Sequence, residues 1–286
     1  MKKLIILVMV AVLLMVLVPG VASAATTRVV SGPETPIQDA INAASDGDVI
    51  FVGSGIYTEN VIVNKSVSIK GADAGTTIVK SPNGNTVFTV TASNVSISGL
   101  TIKGADNVWQ NGILISGADN VRISRNIVER SAYGIFIRRS NGTSIVNNVI
   151  RYNDAPRAGN WWEGPRVDNG SGIIVWDDGG GADLNTLIKS NDIYYNYKFG
   201  IFVGGAGNMN ADGTEINGNK LYRNGHYTID ANWLGMGFMN AMGTISVGGN
   251  NVFPTNSGLE YWVSNSPGLV LGGTPSYGGI PVPPAP

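Results

Sequence analysis

The chain of 286 residues carries 19 basic and 20 acidic side chains and no cysteine. This near balance of charge excludes the electrostatic attraction on which nucleic-acid binding depends. The lack of cysteine excludes disulfide scaffolding and thiol catalysis. The 39 glycines and the 14% of charged residues predict an all-β chain with many tight turns between short strands.

The first 24 residues have the pattern of a secretory signal peptide. Lys2 and Lys3 precede an apolar run, Leu4–Val18, and small residues follow at 21–24. The run is shorter than the roughly 20 residues that span a bilayer, so we expect cleavage after Ala24 and no membrane span in the mature chain. Loss of the two lysines leaves 17 basic residues against 20 acidic ones, a formal charge near −3. We therefore expect a secreted or cell-surface protein, with the periplasm as an alternative location.

A short helix is predicted next, within Thr35–Ala44, because Pro36 stands early in the segment and apolar residues follow at helical spacing. Three segments with strand patterns come after it, at 48–52, 57–63 and 67–70.

Two motifs then alternate along the middle of the chain. The first has an apolar residue, two variable residues, Asn, one variable residue and an aliphatic residue. Its asparagines are Asn126, Asn148, Asn191, Asn219 and Asn250. The second begins with Gly and continues with three apolar residues, as in Gly134–Ile137. Alternation with a period of two predicts that Ile135 and Ile137 face one side of a strand and Phe136 the other.

The shortest interval between motif asparagines is 22 residues, from Asn126 to Asn148. Short strands at this period predict a coil in which each strand pairs in parallel with its equivalent one turn later. The asparagines then stack as a ladder that satisfies backbone groups at the bend. The N-terminal helix is expected to cover the open end of this coil.

The segments Ile37–Val61, Val67–Ala72 and Val95–Ile102 resemble the first turns of the pectin-lyase-like β-helices, and most of all NosD-like and parallel β-helix repeat proteins of archaeal and bacterial surfaces. The likeness covers roughly residues 28–253 and implies a right-handed parallel β-helix with a short N-terminal capping helix. It does not specify an activity, because that superfamily contains lyases, hydrolases, epimerases and adhesins.

The predicted domain boundaries follow from these features. A signal peptide at 1–24 precedes the β-helix domain at 25–271, and the Gly/Pro-rich segment 272–286 is a tail or linker.

The longest interval, between Asn148 and Asn191, carries a polar loop with Trp161 and Trp162. Aromatic planes on such a loop suit the apolar faces of sugar rings, although the two side chains could instead pack on the coil wall. Alignment of the glycine motifs, with Ile229 set against Val203, predicts one outward column: Ser116, Arg138, Trp176, Gly204 and Asp230. The sequence thus predicts a groove for an acidic or neutral glycan, bound by Arg138, Trp161, Trp162, Trp176 and Asp230. The alternative is a solvated arginine pair beside a rim aromatic.

Several side chains near this column are catalytic candidates: Arg138, Arg139, Asp177, Asp178 and His226. The pairs Asp177-Asp178 and Gly225-His226 resemble polygalacturonase-type hydrolases, but the earlier Asn-Thr-Asp and later Arg-Ile-Lys elements of that family are missing. A lyase or epimerase would use Arg138 or Arg139 as base beside calcium. The candidate calcium ligands are Asp177, Asp178 and Asp183, and no other cofactor is predicted.

The favoured interpretation is a secreted or cell-surface β-helix protein that binds extracellular polysaccharide or glycan without catalysis. The alternative is a lyase or epimerase that acts on a uronic polymer, with a glycoside hydrolase third. Convergence of carboxylates and a base beside the tryptophans would distinguish an enzyme from a binding protein.

Overall fold

The structure is a computed structural model that describes residues 25–154, 170–177, 183–225, 234–248, 261–264, 266–267 and 269–271. The predicted signal peptide, the predicted tail, the loop with Trp161 and Trp162, and Asn250 all lie outside these residues.

The described part of the chain forms one helix, α1 (Ile37–Ala43), and 25 strands. In chain order the strands are β1 (Thr27–Val30), β2 (Val49–Val52), β3 (Gly55–Thr58), β4 (Val61–Val63), β5 (Ser68–Gly71), β6 (Thr77–Lys80), β7 (Phe88–Val90), β8 (Ser96–Ser98), β9 (Thr101–Lys103), β10 (Asn111–Ser116), β11 (Arg122–Ser124), β12 (Ile127–Glu129), β13 (Tyr133–Arg138), β14 (Ser144–Val146), β15 (Val149–Arg151), β16 (Ile173–Asp177), β17 (Leu187–Lys189), β18 (Asp192–Tyr194), β19 (Phe199–Asn210), β20 (Thr214–Asn217), β21 (Lys220–Tyr222), β22 (Leu234–Met242), β23 (Ile245–Val247), β24 (Tyr261–Ser264) and β25 (Leu269–Leu271).

The strands form three sheets in which hydrogen-bonded neighbours are parallel. The ten-stranded sheet has the order β1-β2-β5-β8-β11-β14-β17-β20-β23-β25, and the eight-stranded sheet has the order β24-β22-β19-β16-β13-β10-β7-β4. The seven-stranded sheet has the order β21-β18-β15-β12-β9-β6-β3. Most turns of the coil therefore contribute one strand to each sheet, which confirms the predicted all-β parallel β-helix.

The core lies inside the coil, and strand alternation fills it. Ile135 and Ile137 are completely buried, whereas Phe136 is half-buried on the outer side, as predicted. Aliphatic side chains stack on their equivalents one turn away, as Ile135 does on Ile113 and Ile173. The described part of the chain contains no helix that could span a membrane.

The predicted asparagine ladder lies at the corner between the ten-stranded and seven-stranded sheets. The backbone N–H of Asn126 donates to Oδ1 of Asn148 at 3.0 Å, and that of Asn148 donates to Oδ1 of Asn191 at 2.9 Å. The N–H of Asn191 donates in turn to Asn219 at 3.0 Å. The ladder is confirmed from Asn126 to Asn219, and its structural role is to satisfy buried backbone groups at the bend.

A second ladder, which the sequence did not predict, runs along the next corner. The N–H of Ser131 donates to Oδ1 of Asn153, that of Asn153 to Asn196, and that of Asn196 to Asn224, at 3.2 to 3.3 Å. All four side chains are buried. This ladder fixes the corner between the seven-stranded and eight-stranded sheets.

The second ladder also explains the glycine motif. A Cβ atom on Gly134 would lie 2.4 Å from the carbonyl oxygen of Gly172 and 2.9 Å from Nδ2 of Asn153. A Cβ atom on Gly172 would likewise lie 2.7 Å from the carbonyl oxygen of Gly200 and 2.9 Å from Nδ2 of Asn196. Only glycine leaves room for the ladder behind these strands.

The helix covers the N-terminal end of the coil, as predicted. Its buried residues Ile37 and Ile41 belong to the main core, and Glu59 accepts hydrogen bonds from the N–H groups of Ile37 and Gln38 at 2.9 and 3.1 Å. These bonds satisfy donors that a helix leaves open at its first turn.

The carboxylate of Asp48 joins the first strand to the coil. One oxygen accepts from the backbone and hydroxyl of Thr26, both at 2.8 Å, and the other accepts from Ser45 N–H at 3.0 Å and Arg28 Nε at 3.1 Å. The backbone donors of Ser45 and Thr26 hold the pKa of this carboxyl well below its usual range, because they favour the charged form.

We expect Asp48→Asn to lower the melting temperature at pH 7. A carboxyl whose pKa falls on folding stabilises the fold above its unfolded pKa near 4, and this contribution is lost as the pH falls further. The difference in melting temperature between wild type and variant should therefore become smaller from pH 7 to pH 2.5. Thermal unfolding followed by circular dichroism measures it. Asp39→Asn, at an exposed helix position, is the control. A gap that widens in acid would contradict this account.

Candidate functional site

The outer face of the eight-stranded sheet is apolar, unlike an ordinary solvated sheet face. Leu114, Phe136, Ile174 and Phe202 stand in register on successive outward positions of β10, β13, β16 and β19. Ile174 and Phe202 are completely buried although they do not face the coil interior. Apolar residues on both faces mark a sheet that is covered or that binds a partner.

Aromatic rings extend along this face. The ring of Trp109 lies 6.1 Å from that of Tyr133, which meets Phe136 edge to face at 5.7 Å, and Trp176 stacks on Phe202 at 6.0 Å. We call these five residues the aromatic strip. Trp109 is 43% exposed, and Phe136 and Trp176 are half-buried, so part of the strip is accessible.

Arg138 lies next to the strip, as the predicted column requires. It is in register with Ser116, and its Nε donates to the Ser116 hydroxyl at 3.0 Å. The register of Ile137 with Val175 places Trp176 one turn further along the coil. Arg138 is exposed. The structure thus brings together a cation and an indole that the sequence predicted as neighbours.

The predicted continuation of the column to Asp230 is wrong. Val203 is in register with Phe238, and Gly204 with Met239, so Met239 occupies the position that was assigned to Asp230. The alignment failed because a longer segment than expected separates β21 from β22.

Other predicted site residues lie outside the described residues: Trp161, Trp162, Asp178, His226 and Asp230. Their proposed roles stay predictions.

Asp177 does not lie on the outer face, where the sequence analysis expected it. It continues the inward alternation of Ile173 and Val175, and its exposed fraction is 1%. An outer groove cannot use a carboxylate that is buried inside the coil, which corrects the proposed catalytic position of Asp177.

Asp183 is completely buried at the next corner. Its Oδ1 accepts from Ser140 N–H at 2.8 Å, while its Oδ2 has no hydrogen-bond partner among the described residues. The pKa of this carboxyl is raised to about 6, mainly by burial and also by the nearby charge of Asp177. Hydrogen bonds from the Ser140 and Arg139 backbones and the charge of Arg139 oppose the shift. Arg139 itself is exposed, with a left-handed backbone at φ 51°.

No three acidic or histidine side chains converge within the described residues. Calcium ligation by Asp177, Asp178 and Asp183 therefore stays a prediction.

The sequence analysis missed a row of charged and aromatic side chains along the seven-stranded sheet. Glu129, Arg151, Tyr194 and Tyr222 are in register on successive strands. Arg151 donates to Glu129 at 2.8 Å and to the Tyr194 hydroxyl at 3.0 Å, and the rings of Tyr194 and Tyr222 stack at 4.7 Å. A parallel row one residue later contains Arg130, Tyr152, Tyr195 and Arg223, all with positive φ.

A signal for these rows was present in the sequence. Their members occur three and four residues after each ladder asparagine, as Arg151 and Tyr152 do after Asn148. The predicted motif ends at its aliphatic residue, two positions after the asparagine, and therefore does not include them.

Comparison with known proteins agrees with the fold. A family model for the right handed beta helix region matches residues 85–270. A cell surface glycoprotein of Methanothermus fervidus is 30% identical over 143 residues, which are 49% of this chain and 20% of the glycoprotein. The chain thus covers one fifth of the length of that relative.

Two solved structures are also similar. The pectate lyase Pel9A superposes with a TM-score of 0.60 at 14% identity, over 89% of this chain and 78% of the lyase. The ORF18 protein of Geobacillus virus E2 gives a TM-score of 0.53 at 16% identity, over 82% of this chain and 56% of that protein. At these identities the likeness concerns the fold alone.

Proposed function

Because this chain belongs to the family of right-handed β-helix proteins, we propose that it is a secreted or cell-surface protein that associates with carbohydrate polymers without modifying them. The cell surface glycoprotein of Methanothermus fervidus supports the location. A pectate lyase with the same fold supports a carbohydrate partner. The proposed binding surface is the outer face of the eight-stranded sheet.

One observation carries this proposal: the aromatic strip beside Arg138. Sugar rings have apolar faces that stack on aromatic planes, and Trp176 lies within one turn of the exposed guanidinium of Arg138. A guanidinium donates to hydroxyl or carboxylate oxygens in a fixed geometry. A strip along the coil axis also suits a linear polymer better than a compact ligand.

Binding without chemistry is favoured by where the carboxylates lie. A lyase or epimerase needs acidic groups or a bound cation beside its base on the substrate face. Asp177 and Asp183 are both buried away from the outer face that carries Arg138. An enzymatic site on this face therefore depends on residues outside the described part of the chain.

We expect Trp176→Ala to weaken binding to the preferred glycan about tenfold, which corresponds to about 1.4 kcal/mol, because a stacking surface is lost. The experiment screens the mature protein against a glycan array and a panel of uronic polymers, with and without calcium, and then titrates the strongest ligand. Arg138→Ala should weaken binding in the same direction.

Phe51→Ala is the matched control, since Phe51 is a partly exposed aromatic on the ten-stranded sheet. Equal effects of Trp176→Ala and Phe51→Ala would argue against the eight-stranded face. Formation of unsaturated or reducing-end products, lost in Arg138→Ala, would replace the binding proposal with the enzymatic one.

A further inference from the structure

A groove of about 660 Å³ runs along the carboxyl ends of strands β6, β9, β12 and β15 in the seven-stranded sheet, apart from the aromatic strip. It is bordered by three cations, two acids and one aromatic: Lys80, Lys103, Arg130, Asp106, Asp154 and Tyr152. We propose that this groove binds a carboxylated segment of an acidic polysaccharide. The groove shares no residue with the outer face of the eight-stranded sheet. Experiments can therefore contradict binding at one of these two sites and leave the other unaffected.

Two lysines stand side by side on this sheet. Lys80 and Lys103 are in register at the ends of the neighbouring strands β6 and β9, and each follows an inward, fully buried residue. Their side chains therefore leave the same face about 4.8 Å apart. Like charges opposite each other on adjacent strands are destabilising, so a bound anion would stabilise this pair.

Asp106 and Asp154 border the same groove, but no ion pair joins a described acidic side chain to either lysine. Glu129 is the next residue in register after Lys103, but its carboxylate is bound to Arg151 at 2.8 Å. Neither Lys80 nor Lys103 forms an ion pair within the described residues. The two ammonium groups, one exposed and one half-exposed, are thus available to an external carboxylate.

Arg130 adds a third cation on the following turn. Its backbone is left-handed, at φ 54°, and its side chain is exposed. The next residue, Ser131, donates its N–H to Asn153 in the second asparagine ladder, which holds the backbone at this corner. Arg130 thus borders the groove beside the two lysines.

Tyr152 closes the groove on the next turn with a rigid ring. Tyr195 stacks on it at 5.3 Å with 11° between the planes, and the guanidinium of Arg151 lies 5.6 Å from its centroid. Tyr152 is the last ring of this stack on the side of Arg130. A ring held in this way can take a sugar face without losing side-chain entropy.

The mixture of groups favours an acidic sugar over a simple inorganic anion. The three cations exceed the two acids by one charge, which suits a carboxylate. Asp106 and Asp154 can accept hydrogen bonds from sugar hydroxyls, and the ring of Tyr152 supplies an apolar surface. The distance from Lys80 to Tyr152 covers three turns, about 14 Å, which is longer than one sugar ring. The ligand is therefore an oligomeric segment.

The test compares Lys80→Ala/Lys103→Ala with the control Lys70→Ala/Lys189→Ala, which removes two exposed lysines from the ten-stranded sheet. Binding to polygalacturonate and alginate is measured by calorimetry, with carboxyl-reduced polymer as the neutral probe. We expect the first variant to bind at least tenfold more weakly, the control to stay within twofold, and the wild type to bind the reduced polymer at least tenfold more weakly.

The first variant should also melt at the same temperature as wild type or higher, because a repulsion is removed. That readout separates loss of binding from loss of folding. Unchanged affinity, an equal loss in the control, or no wild-type binding to either acidic polymer would overturn the proposal. If Trp176→Ala abolishes acidic-polymer binding and Lys80→Ala/Lys103→Ala does not, the eight-stranded face is the site and this groove is not.

Discussion

Replacement of Asn148 by alanine is expected to lower the free energy of unfolding by about 4 kcal/mol, because buried backbone groups lose their partners. The Asn148 side chain donates to the carbonyl oxygen of Ile123 at 3.0 Å and accepts from the N–H of Asn126 at 3.0 Å. Each buried group left without a partner costs about 1–3 kcal/mol. Asn148 is 1% exposed, so bulk solvent does not reach the groups that the amide leaves. Denaturant unfolding followed by circular dichroism measures the loss.

Asn147→Gly is the matched control. Asn147 is the exposed neighbour of Asn148, and its φ of 57° suits glycine, so this change should alter the stability by less than about 1 kcal/mol. Similar losses in the two variants would show that the ladder contributes nothing beyond its turn conformation.

Sequence periodicity predicted the coil because the same physical constraint recurs on every turn. The bend between consecutive strands leaves the same backbone groups open on every turn. Asn126, Asn148 and their equivalents recur because they satisfy these groups. The second ladder obeys the same rule, and Asn153 and Asn196 stand five residues after the first-ladder asparagines. It was missed because Ser131 replaces asparagine on one turn.

The outward column could be counted where strand alternation is regular, and it was misplaced where a longer segment separates two strands. Arg138 and Trp176 follow unbroken glycine motifs, so their register could be counted from the sequence. Asp230 belongs to the segment between β21 and β22, whose length does not fix the register in which β22 pairs with β19. The predicted position of Asp177 was wrong for a different reason. Strand alternation from Val175 already indicated that its side chain faces inward, and it is buried.

A loss of stability with rising pH, opposite in sign to the effect of Asp48, is expected from Asp183. Between about pH 4 and pH 6 the folded state keeps a proton on this carboxyl, whose pKa is raised to about 6 by burial, while the unfolded chain has already released it. Because the folded state binds more protons there, its free energy of unfolding should fall as the pH rises, by about 3 kcal/mol in all. Asp183→Asn should remove this loss, since an amide oxygen can still accept from Ser140 N–H and carries no charge.

Parallel unfolding curves of wild type and Asp183→Asn at pH 4, 5, 6 and 7 test this, with Asp192→Asn as control because Asp192 is a surface residue 3.6 Å from Lys220. The free energy of unfolding of Asp183→Asn should increase relative to that of wild type as the pH rises, so that the variant is the more stable protein at pH 7. Asp192→Asn should show no such trend. A constant difference across this range would mean that Asp183 is ionised at every pH, with a compensating charge inside the coil. Calcium added at pH 7 then identifies that charge, because a bound cation would stabilise wild type and leave Asp183→Asn unchanged.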